Sequence, residues 1–221
     1  MKTIDFHSHI LPGADHGSDS LETSLEQIEL SKSASIDTFI ATPHFYPHMH
    51  RIGDFLKKRE DCYNTLKNST NADIILSAEV LLCEGLNKLQ GIENLTIGST
   101  KALLIELPFT SFRKAYENCI EELIDDGYEV VLAHADRYPK ENIEKLIPLG
   151  AKIQLNVSSL STLFTKKHLI NWIDRGLVVG LGSDIHKADK KAYASYVKAK
   201  KKLGDRFNKI MKKSNELIFG K

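Results

Sequence analysis

The sequence predicts an α/β protein whose parallel strands form one closed or nearly closed barrel. Short apolar runs recur seven times along the chain. Helical periodicity fills most of the intervals between them. Nearly every run ends in a residue that can hold a metal ion. Alternation of strand and helix along a whole chain implies parallel strands joined by crossover helices. An open doubly wound sheet is the alternative architecture. There is no obvious linker or internal repeat, so residues 1–221 are expected to form a single domain.

The expected strands are Thr3–Phe6, Thr38–Ala41, Ile74–Val80, Ala102–Ile105, Val130–Ala133, Lys152–Asn156 and Leu177–Leu181. Between the first two, Ser20–Ser33 places Leu21, Leu25 and Ile28 on one helical face, with Ser20 as N-cap. Phe112–Ile124 repeats that pattern until Asp126-Gly127 stops it. Asn142–Leu149 and Lys167–Arg175 follow, the second closed by Gly176. Lys190–Phe219 reads as one or two terminal helices. The stretch Gly85–Gly98 has no clear periodicity.

Composition narrows the function classes. Thirty basic side chains stand against twenty-nine acidic ones, so no global field attracts nucleic acid or an anionic membrane. The lysine-rich stretch from Lys187 to Lys202 reads as a solvated helix face. Cys62, Cys83 and Cys119 form neither a CxxC nor a disulfide pattern, which points to a reducing, cytoplasmic compartment. None of the three has an arginine six positions later, so a cysteine-nucleophile phosphate loop is not expected. A glycine-rich nucleotide loop is also absent. No signal peptide and no apolar run able to span a bilayer are visible.

The polar residues at the strand ends carry the chemistry. The first strand runs into His7 and His9, with His16 and Asp15 soon after. The second reaches Thr42-Pro43-His44. The following strands give Glu79, Glu106 and His134, and the last gives Asp184 and His186. The strand ending near Asn156 offers no obvious ligand. In a parallel α/β barrel, the carboxyl ends of all strands open on one face, so residues remote in sequence converge there. Alternate residues of an extended segment share a side, which lets His7 and His9, or Asp184 and His186, reach one centre. Imidazole nitrogen and carboxylate oxygen suit zinc, manganese and iron(II). The lack of a cysteine ligand disfavours a closed structural zinc site. Eight or nine ligands exceed the needs of one ion and fit two or three. A single HxH or a lone glutamate would carry little weight; the shared position at strand ends makes the case. His48 and His50 fall in a loop and read as surface residues or substrate contacts. His168 reads as an ordinary helix-surface histidine.

The stretches "DFHSHILPGADHG", "ATPH", "SAEV", "LIELP", "LAHADRY" and "GSDIH" resemble, in order, the motifs of the PHP (polymerase and histidinol phosphatase) superfamily. The chain is most similar to its bacterial tyrosine-protein phosphatases of capsular and exopolysaccharide loci, which open with HxHILPGxDDG and a helix. The resemblance spans roughly residues 3 to 190. It implies a distorted seven-stranded, TIM-like β/α barrel of the PHP type with a tri-metal centre, often manganese-dependent, with iron or zinc as alternatives. Carried over by motif, the ligands are His7, His9, His16, His44, Glu79, Glu106, His134, Asp184 and His186. Phosphate binding falls to Arg137, in "HADRY", and to a second position aligning near Lys191.

Two departures stand out. Asp15-His16-Gly17 replaces the usual Asp-Asp-Gly, so an imidazole takes a carboxylate's place. Lys191 stands where the family has arginine, and an ammonium cannot form the planar bidentate fork of a guanidinium. The function implied is hydrolysis of a phosphotyrosyl protein by a metal-bridging hydroxide, with a tyrosine autokinase of polysaccharide assembly as partner and a homo-oligomer as a possible state. His186 and His44 are candidate general acids, in competition with metal ligation. A histidinol phosphatase-like enzyme for small phosphomonoesters and a non-catalytic metal-binding regulatory module are the alternatives.

Overall fold

A computed structural model describes residues 1–220, so only Lys221, the last residue of the expected domain, lies outside it. The strands are β1 (Ile4–Ser8), β2 (Thr38–Ala41), β3 (His44–Phe45), β4 (Asp73–Leu76), β5 (Glu79–Leu81), β6 (Ala102–Glu106), β7 (Glu129–Leu132), β8 (Lys152–Asn156) and β9 (Val178–Gly182). Every ladder is parallel. The helices are α1 (Leu21–Ser31), α2 (Ile52–Lys67), α3 (Lys114–Asp125), α4 (Lys140–Leu146), α5 (Val157–Leu160), α6 (Lys167–Asp174), α7 (Lys190–Leu203) and α8 (Asp205–Phe219).

The ladders form two sheets and not one closed cylinder. One has the order β1-β2-β4, the other β3-β5-β6-β7-β8-β9. The expected strand Thr38–Ala41 is β2, and the two-residue β3 follows it across Thr42-Pro43; the expected strand Ile74–Val80 is interrupted at Ser77-Ala78, which separates β4 from β5. Proline has no N–H for a ladder, so a break at Pro43 is the local consequence. Single bonds bridge the breaks, from Ser77 N–H to the Ala41 carbonyl (2.9 Å) and from Glu79 N–H to that of Pro43 (3.1 Å). At the other edge, β1 and the end of β9 are joined by Asp184 N–H to the His7 carbonyl (2.8 Å) and His9 N–H to that of Ile185 (3.1 Å).

Burial follows the period-two rule of strands. On β6, Leu103 and Ile105 join the large core beneath the helices, whereas Ala102 and Leu104 join a second core with Ile4, Phe6, Ile40 and Val131. Leu217, Ile218 and Phe219 of α8 pack against this second core. The same helix reaches the start of β1, where Asn215 exchanges hydrogen bonds with the backbone of Lys2. The amino ends of the strands are therefore covered, and the site develops at their carboxyl ends.

Helix signals are expressed locally. Ser20 Oγ accepts from Thr23 N–H at 3.1 Å and starts α1. Gly176, at φ +73°, ends the segment of α6 in a conformation that glycine adopts without steric penalty. The terminal stretch is two helices, α7 and α8, broken at Gly204 (φ +53°). The periodicity did not announce α2, because its fully buried apolar contacts come only from Phe55 and Leu66. Gly85–Gly98 contains two short 3-10 turns, Leu86–Lys88 and Ile92–Leu95. Among the described residues, no helix is long and apolar enough to cross a membrane.

Candidate active site

The carboxyl ends of β1, β6, β7 and β9 and the first residues of β3 and β5 deliver six imidazoles and three carboxylates to one place. Glu79 on β5 is the hub. Its Oε2 lies 3.0 Å from His44 Nδ1, 3.2 Å from His7 Nε2 and 3.4 Å from His9 Nε2. Its Oε1 lies 2.6 Å from His134 Nε2. Asp184 Oδ1 is 3.5 Å from His9 Nε2 and 3.8 Å from His7 Nε2. Glu106 is further out, with carboxylate oxygens 3.7 Å from His134 Nε2 and 3.9 Å from His44 Nδ1. The His186 ring stacks on His9 with centroids 4.0 Å apart. His16 stacks on His44 at 4.5 Å and lies 4.9 Å from His186, at the exposed rim.

Strand chemistry explains the convergence. On β3, His44 faces the cluster while Phe45 enters the large core; on β5, Glu79 and Val80 divide in the same way. On β1 the alternation must break, because Ile4 and Phe6 occupy the inner core and His7 still reaches Glu79. The register between β1 and β2 shifts between Asp5 and Ser8. His134 (φ +31°) and Asp184 (φ +52°) take left-handed backbone conformations, rare for residues with a Cβ. Such strain is held by the surrounding structure and concentrates at functional sites.

A layer of partners behind the cluster sets the tautomers. Gln154 Oε1 accepts the backbone N–H of His134 (2.6 Å) and the Nδ1–H of His7 (3.1 Å). A backbone N–H can only donate, so the atom facing it is oxygen, and His7 must then carry its proton on Nδ1. Asp15 Oδ2 does the same for His9 Nδ1 at 2.7 Å, and also accepts the His44 N–H at 3.0 Å. With Nδ1 carrying a proton, each histidine turns its Nε2 toward Glu79 and Asp184 as the position for a cation or a second proton. The two Nε2 atoms are only 3.1 Å apart. Two lone pairs so close need a proton or a cation between them.

The electrostatics agree. Burial opposes a charge on His9, but bonds to Asp15, Asp184 and Glu79 outweigh it and raise its pKa well above the usual value. Burial likewise opposes ionisation of Glu79, yet His7, His134 and His44 hold its carboxyl well below the usual range. Asp184 is lowered too, by His7, His9 and Arg137 against the effect of burial. Glu106 is raised, by burial and by the charge of Glu79. His186 is pushed down to about 4, chiefly by burial and by His9. In the metal-free protein, protons occupy positions that a cation would otherwise take.

The donor set fits a divalent metal. His9, His44 and His186 form one triple of ligand atoms within 4.8 Å of one another; His7, His9 and Glu79 form a second, and His44, Glu79 and Glu106 a third. Among the described residues, both ring nitrogens of His44, Nδ1 of His134 and Oε2 of Glu79 are buried without a hydrogen-bond partner. Buried polar atoms are rarely left so.

The cluster floors a cavity of about 520 Å³, walled by Tyr46, Leu81, Pro108, Phe109, Thr110 and Arg137. Arg137 lies one turn beyond His134, and its guanidinium pairs with Asp184 Oδ2. A second cavity of about 490 Å³ shares His16, His44 and Tyr46, and runs toward Met49, His50, Arg51 and Lys58. His50 Nδ1 accepts the Tyr46 N–H at 3.0 Å. Lys191 is not on the wall of the first cavity. It is exposed in the first turn of α7, where Asp189 Oδ1 caps its N–H at 2.8 Å.

Sequence reasoning passed over Gln154 and Asn156. Asn156 Nδ2 donates to Asp184 Oδ2 at 2.9 Å. A signal existed: the two polar residues alternate with the core residues Ile153 and Leu155 on one strand, which puts them on the inner face. Asp15, next to His16 in the first motif, supports His9 from behind.

Comparison with known proteins places the chain in a family. The tyrosine-protein phosphatase YwqE of Bacillus subtilis is 28% identical over 200 residues, covering 83% of this chain and 77% of its own. The tyrosine-protein phosphatase CpsB of Streptococcus pneumoniae is 29% identical over 209 residues, covering 84% of each. A solved structure from work on YwqE and CpsB, described as metal-dependent tyrosine phosphatases, superposes with a TM-score of 0.80 at 23% identity, over 98% of this chain and 94% of that one. The sequence matches the family described as "Capsular polysaccharide synthesis, CpsB/CapC" across residues 3–218. Because that match spans nearly the whole length, the chain belongs to the CpsB/CapC family of capsular polysaccharide synthesis.

Proposed function

We propose that the protein is a metal-dependent protein-tyrosine phosphatase acting in capsular polysaccharide synthesis. The observation that carries this reading is Glu79: a buried carboxylate with four histidines within 3.4 Å of its oxygens, beside an arginine and an open cavity. Relatives named as tyrosine-protein phosphatases support it. On this reading His7, His9, His16, His44, Glu79, Glu106, His134, Asp184 and His186 hold two or three divalent ions, manganese first. The two sheets act as one distorted seven-stranded barrel within a single domain. The substrate is a phosphotyrosyl protein, with an autokinase of polysaccharide assembly as the partner to test.

A bound divalent ion supplies positive charge to phosphoryl oxygens and lowers the pKa of water toward neutrality. The chain's own groups do the remainder. Gln154 and Asp15 hold the Nδ1 protons of His7 and His9, which leaves Nε2 of each as the atom to bind a metal. Glu79 and Asp184, both held ionised, supply negative charge to the centre. Arg137 is half-exposed and anchored on Asp184. It lines the cavity, and its N–H groups not bound to Asp184 can donate to a phosphoryl oxygen as charge develops. Lys191 has no such position, so phosphate recognition by this chain rests on Arg137.

The leaving group needs little help. A phenol has a pKa of about 10, so phenolate departs far more readily than an alkoxide. His186 donates its Nδ1–H to the Asp184 carbonyl at 3.1 Å and is neutral near pH 7. That leaves its Nε2 lone pair available to a metal ion, in competition with a role as general acid.

The test is kinetic. Protein reconstituted with manganese should hydrolyse a phosphotyrosyl peptide in preference to histidinol phosphate. Preference for histidinol phosphate would make it a small-molecule phosphatase. Stoichiometric metal without hydrolysis across manganese, iron and zinc would make it a regulatory module.

A further inference from the structure

We propose that Phe109 is a specificity-determining residue whose ring forms one wall of a slot for the aromatic ring of the substrate. The inference rests on the phosphatase reading and deepens it, because it says how the site would select an aryl over an alkyl phosphate.

Phe109 follows β6 and lies three residues beyond Glu106. It is 70% exposed, as Phe164 is at 87%, whereas Phe6, Phe39, Phe45, Phe55 and Phe207 are buried. An exposed aromatic ring on a surface loop is common enough. This one lines the cavity that holds Glu106, His134, Arg137 and Asp184. Its orientation is also set: the ring lies 15° from the plane of His134, with centroids 6.4 Å apart, and 29° from that of Tyr138, at 5.3 Å. Tyr138 is itself held by a hydrogen bond from its hydroxyl to the Leu107 carbonyl (2.8 Å). The face that Phe109 does not spend on these neighbours is open to the cavity.

Tyr46 lines the same cavity and stacks on His44, 18° from its plane and 5.3 Å away. The cavity thus has an aromatic ring stacked outside His134 and another stacked outside His44, with Glu79 between those two histidines. A phosphoryl group near Arg137 would leave its ester oxygen pointing out of the cluster. A phenyl ring on that oxygen passes Phe109 and buries apolar surface there, in an offset or edge-on contact that aromatic rings favour. A serine or glycerol ester has no ring to place against it. Contact with the ring persists from bound substrate to transition state, so it should act on binding more than on the chemical step.

The experiment uses the full chain loaded with manganese. The substrates are phenyl phosphate and glycerol phosphate; the ligands for equilibrium binding are phenylphosphonate and methylphosphonate. Phe109→Ala should lower the ratio of kcat/KM for phenyl over glycerol phosphate about tenfold, mostly through KM. It should weaken phenylphosphonate binding relative to methylphosphonate by a similar factor. Phe109→Tyr should restore both ratios, and Phe109→Leu should restore them only in part. An unchanged ratio, or equal losses on both substrates, overturns the inference while leaving the phosphatase reading intact. Wild-type protein that hydrolyses neither ester with any metal overturns that reading, and this one with it. Circular dichroism of the variants reports whether an equal loss comes from misfolding; an equal loss in a folded Phe109→Leu variant counts against the slot.

Discussion

The side-chain oxygen of Gln154 lies 3.1 Å from Nδ1 of His7 and, in the same position, accepts the backbone N–H of His134. One amide thereby sets the tautomer of a residue on β1 and the backbone of the residue after β7. Its own NH₂ group is tied to Asn156 Oδ1 at 3.0 Å, so the amide cannot turn over without breaking three bonds. Gln154→Leu keeps the volume roughly and removes all of them. Metal affinity should fall by about 10- to 100-fold, the usual effect of removing a group that supports a metal-binding histidine. Metal titration followed by fluorescence or calorimetry measures it; unchanged affinity would mean His7 does not need Gln154 for its orientation.

Arg137 offers a second prediction. Arg137→Ala should reduce kcat/KM for a phosphotyrosyl peptide by about 10²-fold, the scale of a lost charge-stabilising donor. Arg137→Lys should recover only part, because one ammonium cannot both hold Asp184 and fork to phosphate. Lys191→Ala should change kcat/KM by less than about twofold, since an exposed side chain off the cavity wall makes no such contact. A large effect at Lys191 would show that α7 moves when substrate binds.

Metal loading should release protons. In the metal-free state the carboxylates around His9 raise its pKa well above 6.5, so a proton occupies the cluster at neutral pH. A cation must displace it. Calorimetric titrations with manganese at pH 7, in buffers of different ionisation enthalpy, should therefore report net proton release. By linkage, affinity rises with pH and falls on acidification. Affinity independent of pH between 6 and 8 would contradict the assigned charges.

Gly180 faces Phe6 so closely that a Cβ there would lie 2.3 Å from the ring's Cγ. Both residues are inside the strands, below the cluster. Gly180→Ala must displace Phe6 or β9, an overpacking penalty of about 1–3 kcal/mol. Chemical denaturation would show the loss; no shift in midpoint would indicate that the inner core has slack.

Far from the cluster, Glu144 accepts from the indole N–H of buried Trp172 at 2.7 Å and from Arg175 at 3.2 Å. These bonds lower its pKa below 4.5, the Trp172 bond most. A depressed carboxylate stabilises the fold above its unfolded pKa, and that stability is lost as pH falls through the lower folded value. Glu144→Gln should cost about 1 kcal/mol at pH 7, on the scale of a charge-assisted bond. The difference between the two proteins should shrink below pH 4.5. Stability curves at pH 7 and pH 4 test both parts.

Much of the site was legible before any coordinates. His7, His9, His44, Glu79, Glu106, His134, Asp184 and His186 could be picked out because each sits where an apolar run ends, and parallel strands bring their carboxyl ends together. His16 was legible by spacing within its motif, and it lies on the rim beside His44 and His186. Gln154 was not picked out: an amide has no distinctive ligand chemistry, and its role depends on His7 and His134 arriving from strands far away in sequence. Lys191 aligned with a phosphate-binding position, but distance along a helix does not say which way its first turn faces.

The sequence by itself determined the alternation of strands and helices, because side-chain periodicity and capping are local. It also determined the kinds of donor atom at the strand ends. Tertiary structure decided what no local pattern encodes: the register shift that turns His7 inward, and the tautomers set by Gln154 and Asp15. They depend on contacts between separate segments, in one case between residues over a hundred positions apart, His7 and Gln154. Only packing brings such groups within hydrogen-bonding range.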